Sequence, residues 1–436
     1  MSEFHLRVFT DRSELIEDGN IVEIFVEGKM NVEAKERYNK ISQFLKKGYL
    51  DLQIDFCKNS SNDIDISSLT VKQMHIVDDL INSITSEVGR ALIGLTILQL
   101  CIKDIEPLQS IRLHKGSASS ATFSWQDGIS MRTLSAYITP ILRKHELLKL
   151  NADGFMMTRT LAENYPYSKV YKASIKGARH QWIAIVEELE VGSINAKATL
   201  QYMLSKLLNN AEDFKKLANN TIFEIKRIIA SGNFDNSYNT SLLLKKHMNV
   251  SDHAARIMEI SMHSLIQALQ QHGLLNDNIL VPLSQMRSAN KKHGNIGDIE
   301  IKNGDHIVET WDAKFGKSYL RDELDELNDK LSSHLSVEKA GFVTSVVPDR
   351  LEELTILIND IEQIHGTSIE ILLFEDWVER QFAIAISSGG ITEQALANDW
   401  LLSYVESLAQ KRPHIAPIDE PCYRWLEILY DILRDY

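Results

Sequence analysis

The sequence predicts an α+β protein, with a largely helical N-terminal part followed by a mixed β-sheet flanked by helices. Three observations predict it. Apolar residues recur at helical spacing through most of residues 69–250. From residue 251 the pattern changes to helix, two strands, helix, strand, helix, strand, as expected of one sheet packed between helices. The charge is also uneven: the 436-residue chain carries −13, yet Arg112 to His180 holds eleven Lys/Arg against four Asp/Glu. That segment is +7 and the remainder −20. A basic block in an acidic chain is the asymmetry of a localised phosphate-binding face.

An apolar content of 44% with 25% charged residues is ordinary for a globular chain and allows a sizeable core. The first residues lack a basic stretch followed by an apolar one, so no secretory signal is expected. The most apolar window, Ala91 to Cys101, is too short to span a bilayer, and no membrane partner is expected. Cys57, Cys101 and Cys422 are far apart and odd in number. They offer neither metal-ligand spacing nor a disulfide framework, which fits buried thiols in a reducing cytoplasm. No P-loop or dinucleotide fingerprint is present, so no nucleotide cofactor is expected.

Four segments are expected. Residues 1–68 form an α/β segment with a strand at Ile21–Val26, a helix at Val32–Lys47 and a polar, turn-rich end from Lys58 to Ser68. Residues 69–180 begin with helices at Val71–Ile84 and Glu87–Lys103. A helix then starts at the N-cap Ser130 and ends near His145, with Met131, Leu134, Tyr137, Ile138, Ile141 and Leu142 on one face. Pro140 should kink it. Leu147–Leu150 and Phe155–Thr158 flank Asn151-Ala-Asp-Gly154 and read as a hairpin, followed by a short helix at Thr160–Asn164. Residues 181–250 form a helical connector with helices at Trp182–Glu190, Asn195–Asn209 and Asp213–Ala230 and a break at Ser231–Ser237. Residues 251–436 carry an amphipathic helix at Ser251–His272 and strands at Ile296–Ile301 and His306–Phe315. Then come a helix at Leu320–Leu335, a strand at Ala340–Val347, a helix at Arg350–His365 N-capped by Asp349, and a strand at Ile369–Phe374. The rest is helical.

Helix, Leu-Leu-x-Leu, Asn/Asp-Gly, apolar run and Thr-Arg together resemble a winged-helix domain. In such domains the recognition helix enters the major groove. Its expected solvent side is Arg132, Thr133, Ser135, Ala136, Thr139 and Arg143. Arg132 is suited to guanine, and Ser135 and Thr139 to bases or phosphates. Lys144, Lys149 and Arg159 are expected at phosphates, with Arg143 on the same face. Tyr165, Tyr167 and Tyr171 read as packing residues. The bland alternative is a winged helix that contacts only protein.

The chemistry is expected in Asp298-Ile-Glu-Ile-Lys-Asn-Gly-Asp-His-Ile-Val-Glu-Thr-Trp-Asp312-Ala-Lys314. Side chains alternate along a strand, so Asp312 and Lys314 share a face. Whether Asp298 joins them depends on register. A two-residue Asn303-Gly304 turn would set Asp298 opposite Glu309 and leave Asp312 on the other face. A three-residue loop or a bulge at Gly304 would set Asp298 opposite Thr310, diagonal to Asp312. The chemical reading requires the second case. Two carboxylates on one face make a hard oxygen site for Mg2+, and a lysine beside them can meet a phosphate. The competing reading is a solvated charged hairpin, with Lys314 paired to Asp312 or Glu309.

This acid, strand, acid-x-lysine arrangement, with a helix before and a helix and strand after, resembles the PD-(D/E)XK nuclease superfamily, the fold of most type II restriction endonucleases. The resemblance covers roughly residues 251–347. It implies a restriction-endonuclease-like mixed sheet, Asp298 and Asp312 as metal ligands, Lys314 as the catalytic lysine, and Glu259 as a further metal-linked acid on the preceding helix. Gly297 stands where the family often has proline. The implied activity is sequence-specific, Mg2+-dependent cleavage of double-stranded DNA by a homodimer, with Mn2+ able to substitute. The alternatives are a repair or junction-resolving nuclease of the same superfamily, and a non-catalytic DNA-binding regulator with a relic nuclease domain. His293, in a basic loop before Asp298, is a candidate backbone contact. Pro348-Asp349 lacks a following acid-x-lysine strand and is a decoy.

Overall fold

A computed structural model describes residues 3–59, 64–82, 87–114, 125–148, 161, 165–171, 178–232, 234–283, 295–334, 336–410 and 421–436. The chain divides into two compact units, the first closing at Asp213 and the second opening at Phe214. The molecule is a mixed α+β protein with a small antiparallel sheet and a larger mixed one.

The first unit opens with an antiparallel meander, β1 (Phe4–Val8), β2 (Arg12–Glu17) and β3 (Asn20–Val26). Only β3 was legible from its apolar content. β2 is interrupted by Ser13 and Glu14, yet both are buried because it is the central strand. Asp18 and Gly19 join β2 to β3 with φ of 47° and 83°, the backbone a tight hairpin demands. Helices α1 (Val32–Lys46), α2 (Tyr49–Asn59), α3 (Val71–Asn82), α4 (Glu87–Ile105), α5 (Met131–Lys144) and α6 (Arg179–Val191) follow. α4 is buried all round from Ala91 to Ile102, so its apolar run is a core helix. Among the described residues, no helix is long and apolar enough to cross a membrane. Cys57, Cys101 and Cys422 are buried free thiols.

α7 (Ala196–Ala230) is one helix where two were expected. The polar run Asn209-Asn-Ala-Glu-Asp213 reads as a break by composition but does not interrupt the backbone. Leu200 to Leu207 belong to the core of the first unit, and Phe214 to Ile228 to that of the second.

The second unit continues with α8 (Ser237–Val250), α9 (Ala254–Gln271), β4 (Ile279–Leu280), β5 (Ile299–Asn303), β6 (His306–Lys314), α10 (Arg321–Leu331), β7 (Val337–Thr344), α11 (Leu351–His365), β8 (Ser368–Leu373), α12 (Phe374–Ser387), α13 (Glu393–Gln410) and α14 (Cys422–Arg434). The sheet order is β4-β5-β6-β7-β8. β4, β5 and β6 are antiparallel neighbours, whereas β6, β7 and β8 run parallel through the α10 and α11 crossovers. Ile299, Ile301, Trp311, Ala313 and Val343 share a core with α9, α12, α13 and α14. Ile307, Ala340, Phe342 and Ile369 pack with α10 and α11.

Two sequence expectations fail here for packing reasons. α9 is not amphipathic: Arg256 through Ile266 are all buried, including Glu259 and His263. It is a central helix, covered by the sheet on one side and by α13 and α8 on others. Asp349 does not cap α11. The cap position is Arg350, at φ 53°, and Asp349 instead accepts the Ser318 hydroxyl hydrogen bond.

Candidate active site

The β5–β6 hairpin turns on Gly304-Asp305, with Asn303 opposite His306. Gly304 takes φ 59°. A bulge follows, in which Lys302 faces Ile307 but Ile301 faces Glu309, leaving Val308 as the extra residue of β6. An offset was therefore required and is present, but it differs from the one expected. Beyond the bulge Glu300 faces Thr310 and Ile299 faces Trp311, so the same register continued by one residue sets Asp298 opposite Asp312 rather than Thr310. Asp298, Glu300, Thr310, Asp312 and Lys314 thus share one face.

The backbone locks the two acids together. The Asp298 N–H donates to Asp312 Oδ1 at 3.1 Å, and the Ala313 N–H donates to Asp298 Oδ2 at 3.1 Å. Gly297 permits this approach: a Cβ there would lie 2.5 Å from Thr310 Oγ1 and 2.9 Å from the Trp311 carbonyl oxygen. Lys314 Nζ lies 3.2 Å from Asp312 Oδ2 and 2.5 Å from Glu323 Oε2. Its pairing with Asp312 is the one the competing reading expected, but its side chain is only 17% exposed and so is not solvated. Glu309 accepts from the Trp311 indole at 2.6 Å, on the opposite face.

Burial and the like charges of Asp312 and Glu259 hold the Asp298 carboxyl well above its ordinary range, against the Ala313 amide and Lys314. Burial would lower the Lys314 ammonium, but Asp312, Glu323 and Asp298 outweigh it and raise it. Burial would likewise raise Glu323, yet the bonds from Lys314 and Lys317 hold it below the usual carboxylate range. Glu259 is buried and paired with Arg256, three residues earlier on α9. Its charge is felt at Asp298, so all four expected residues belong to one electrostatic neighbourhood.

Three partners were missed. Glu323 sits in the first turn of α10, where an acid reads as a complement to the helix dipole, which hid its bond to Lys314. Glu300 is a buried carboxylate on the site face, accepting from the Ile296 N–H at 2.7 Å with Lys302 Nζ at 2.9 Å. Its two-residue spacing from Asp298 was the available signal. Arg256 is buried in α9, and no sequence pattern marked it. Among the described residues no group of three or more His, Cys, Asp or Glu is arranged to hold a metal ion. His293 lies outside the described residues.

The candidate DNA-contacting helix needs correction. Ser130 caps α5 as expected, accepting from the Thr133 N–H at 3.3 Å, and the helix runs through Pro140. Ser135 and Thr139, however, are buried at 1% and 2% exposure. Ser135 Oγ donates to the Arg132 carbonyl and Thr139 Oγ1 to the Ser135 carbonyl. The buried stripe is Met131, Leu134, Ser135, Ile138, Thr139 and Leu142, with Tyr137 and Ile141 at its margin. Small hydroxyl residues that satisfy themselves on helix carbonyls cost little to bury, so the stripe runs over them. Arg132 and Arg143 are exposed. Lys144 is exposed but sits 3.0 Å from Asp51 Oδ2, and His145 also bonds Asp51. Arg112 is buried, bonded to the Tyr167 carbonyl and 3.3 Å from Glu23. Part of the basic block is therefore neutralised internally. Tyr167 and Tyr171 pack edge-on against Trp182, as expected of core residues. Lys149, Arg159 and the hairpin expected between Leu147 and Thr158 lie outside the described residues, apart from Leu147 and Leu148.

No protein-family model matches the chain, and no curated protein sequence matches it.

Proposed function

We propose that this chain is a Mg2+-dependent DNA endonuclease of the PD-(D/E)XK kind, acting on double-stranded DNA, with the α5 region as its winged-helix DNA-binding part. One observation carries the reading. Asp298, Asp312 and Lys314, drawn from both sides of a hairpin, form a contiguous chain of polar contacts beside a buried Glu259.

The donor set fits the ion. Asp298 and Asp312 would hold it, with Glu259 behind them. Mg2+ is bound through one or two carboxylates, keeping waters and phosphate oxygens in its other positions, so a larger protein cluster is not needed. Burial, and after it the repulsion of Asp312 and Glu259, raises Asp298, and a divalent cation would offset both. When bound, the cation acidifies a water and offsets charge at the phosphate. Lys314 donates to a non-bridging phosphate oxygen and stabilises the negative charge that builds there. Asp312 keeps that ammonium charged and in place. Cutting both strands of a duplex requires two such sites on antiparallel strands, which a two-fold dimer supplies.

The test is a digest of long unmodified DNA with and without Mg2+, using the native chain, Lys314→Ala and Asp312→Asn. Discrete fragments that need both the metal and Lys314 are expected, and Asp312→Asn is expected to stop cleavage while leaving DNA affinity intact. Uncut DNA across several substrates, with Mn2+ also tried, would refute the reading and favour a DNA-binding regulator.

A further inference from the structure

We infer that Glu323 is a positioning residue, holding the Lys314 ammonium where it can meet the scissile phosphate. This rests on the nuclease reading above. An ammonium has three donors and no acceptor. Asp312 Oδ2 at 3.2 Å and Glu323 Oε2 at 2.5 Å both pair with it, one from β6 and one from α10. A lysine stem alone leaves its head free to wander, because four flexible bonds separate it from the backbone. Two carboxylates on separate rigid elements restrict that freedom and fix where the ammonium sits. Phe342 adds a floor, its ring centre 5.7 Å from Nζ.

Glu323 is itself held. Its Oε1 pairs with Lys317, and its own side chain is only 16% exposed. Gly316, at φ 68°, turns the chain just after β6, so that Lys314 and Lys317 reach the same carboxylate from opposite sides of the bend. The Gly316 N–H donates to Ser345 Oγ at 2.8 Å, tying the bend to the end of β7. The order Asp312–Lys314–Glu323–Lys317 alternates in sign, so each member is placed by its neighbours.

The test compares the native chain with Glu323→Gln and Glu323→Asp, each also made in a Lys314→Ala background. Glu323→Gln keeps the length and removes the charge. It is expected to lower kcat on plasmid DNA about 10- to 100-fold with KM within about twofold, as for groups that orient a reacting residue. Glu323→Asp should recover part of the loss. In the Lys314→Ala background, where only the residual cleavage seen with enzyme in large excess is left to follow, Glu323→Gln should cost nothing further, since the residue it positions is gone. Native kcat in Glu323→Gln, or an equal loss in both backgrounds, would overturn the inference, as would a lowered melting temperature that accounts for the loss. A separate readout does not need cleavage. Acetylation of Lys314 by acetic anhydride, followed by mass spectrometry, should rise several-fold in Glu323→Gln, and an unchanged rate would overturn the inference. A native chain that cuts no DNA while this acetylation rises would overturn the nuclease reading and keep the Glu323–Lys314 hold.

Discussion

Gly297 stands at the narrowest point of the site. A side chain there would meet Thr310 Oγ1 and the Trp311 carbonyl, and the carbonyl cannot retreat without moving β6. Gly297→Ala is therefore expected to cost about 1–3 kcal/mol, as overpacking does. It should also weaken the Asp298–Asp312 bond. Urea unfolding measures the first effect; stability equal to the native chain's would mean that β6 yields freely. The alternation of acids and apolar residues around Gly297 was legible in the sequence. The bulge at Val308 was not, because its neighbours are ordinary strand residues and only the pairing with β5 shows where the extra residue falls.

Among the elements, α5 carries the most consequential correction. Its apolar stripe passes through Ser135 and Thr139, so the expected base-reading face shrinks to Arg132, Thr133, Ala136 and Arg143. If α5 binds DNA, Arg132→Ala and Arg143→Ala should each weaken affinity and reduce the salt slope by roughly one unit per lost phosphate contact. Ser135→Ala and Thr139→Val should leave DNA affinity unchanged. Fluorescence anisotropy across a salt series checks both, and a Ser135→Ala defect without loss of folding would return that residue to the interface. α9 shows the same limit of periodicity. Its apolar residues fit one helical face, but packing on several sides buries the remainder, including the Arg256–Glu259 pair.

At the scale of the whole molecule, His114 in the first compact unit and His247 in the second are buried histidines that stay neutral near pH 7. His247, on α8, lies 2.7 Å from the Tyr404 hydroxyl and 2.9 Å from the Trp425 carbonyl, so it joins α13 and α14 to α8. Burial pulls it down to about 4, against the bond to Trp425. His114, in the first unit, is lowered to about 4 by burial and by Arg132. An unfolded histidine titrates near 6.5, so above that pH neither state binds the proton and this source of pH dependence is silent. Between pH 6.5 and 4 the unfolded chain takes up a proton that the folded one refuses, so stability falls as pH falls. The loss is about 2 kcal/mol per histidine at pH 5. Urea unfolding at pH 7 and pH 5 should show it, with His247→Gln removing its share for the second unit. An unchanged difference in that variant would show that the acid sensitivity lies elsewhere.

Elements with a local signal were legible from the sequence: most helices of the two units, though not α2, α8 or the continuity of α7, the order helix, hairpin, helix, strand, helix, strand, and the shared face of Asp312 and Lys314, which follows from strand alternation alone. Tertiary structure decided whatever depends on a partner distant in sequence. It set Asp298 opposite Asp312 through a bulge, brought Glu323 from a later helix onto Lys314, and turned Ser135 and Thr139 inward. Periodicity states which residues share a face, and only packing states what that face meets.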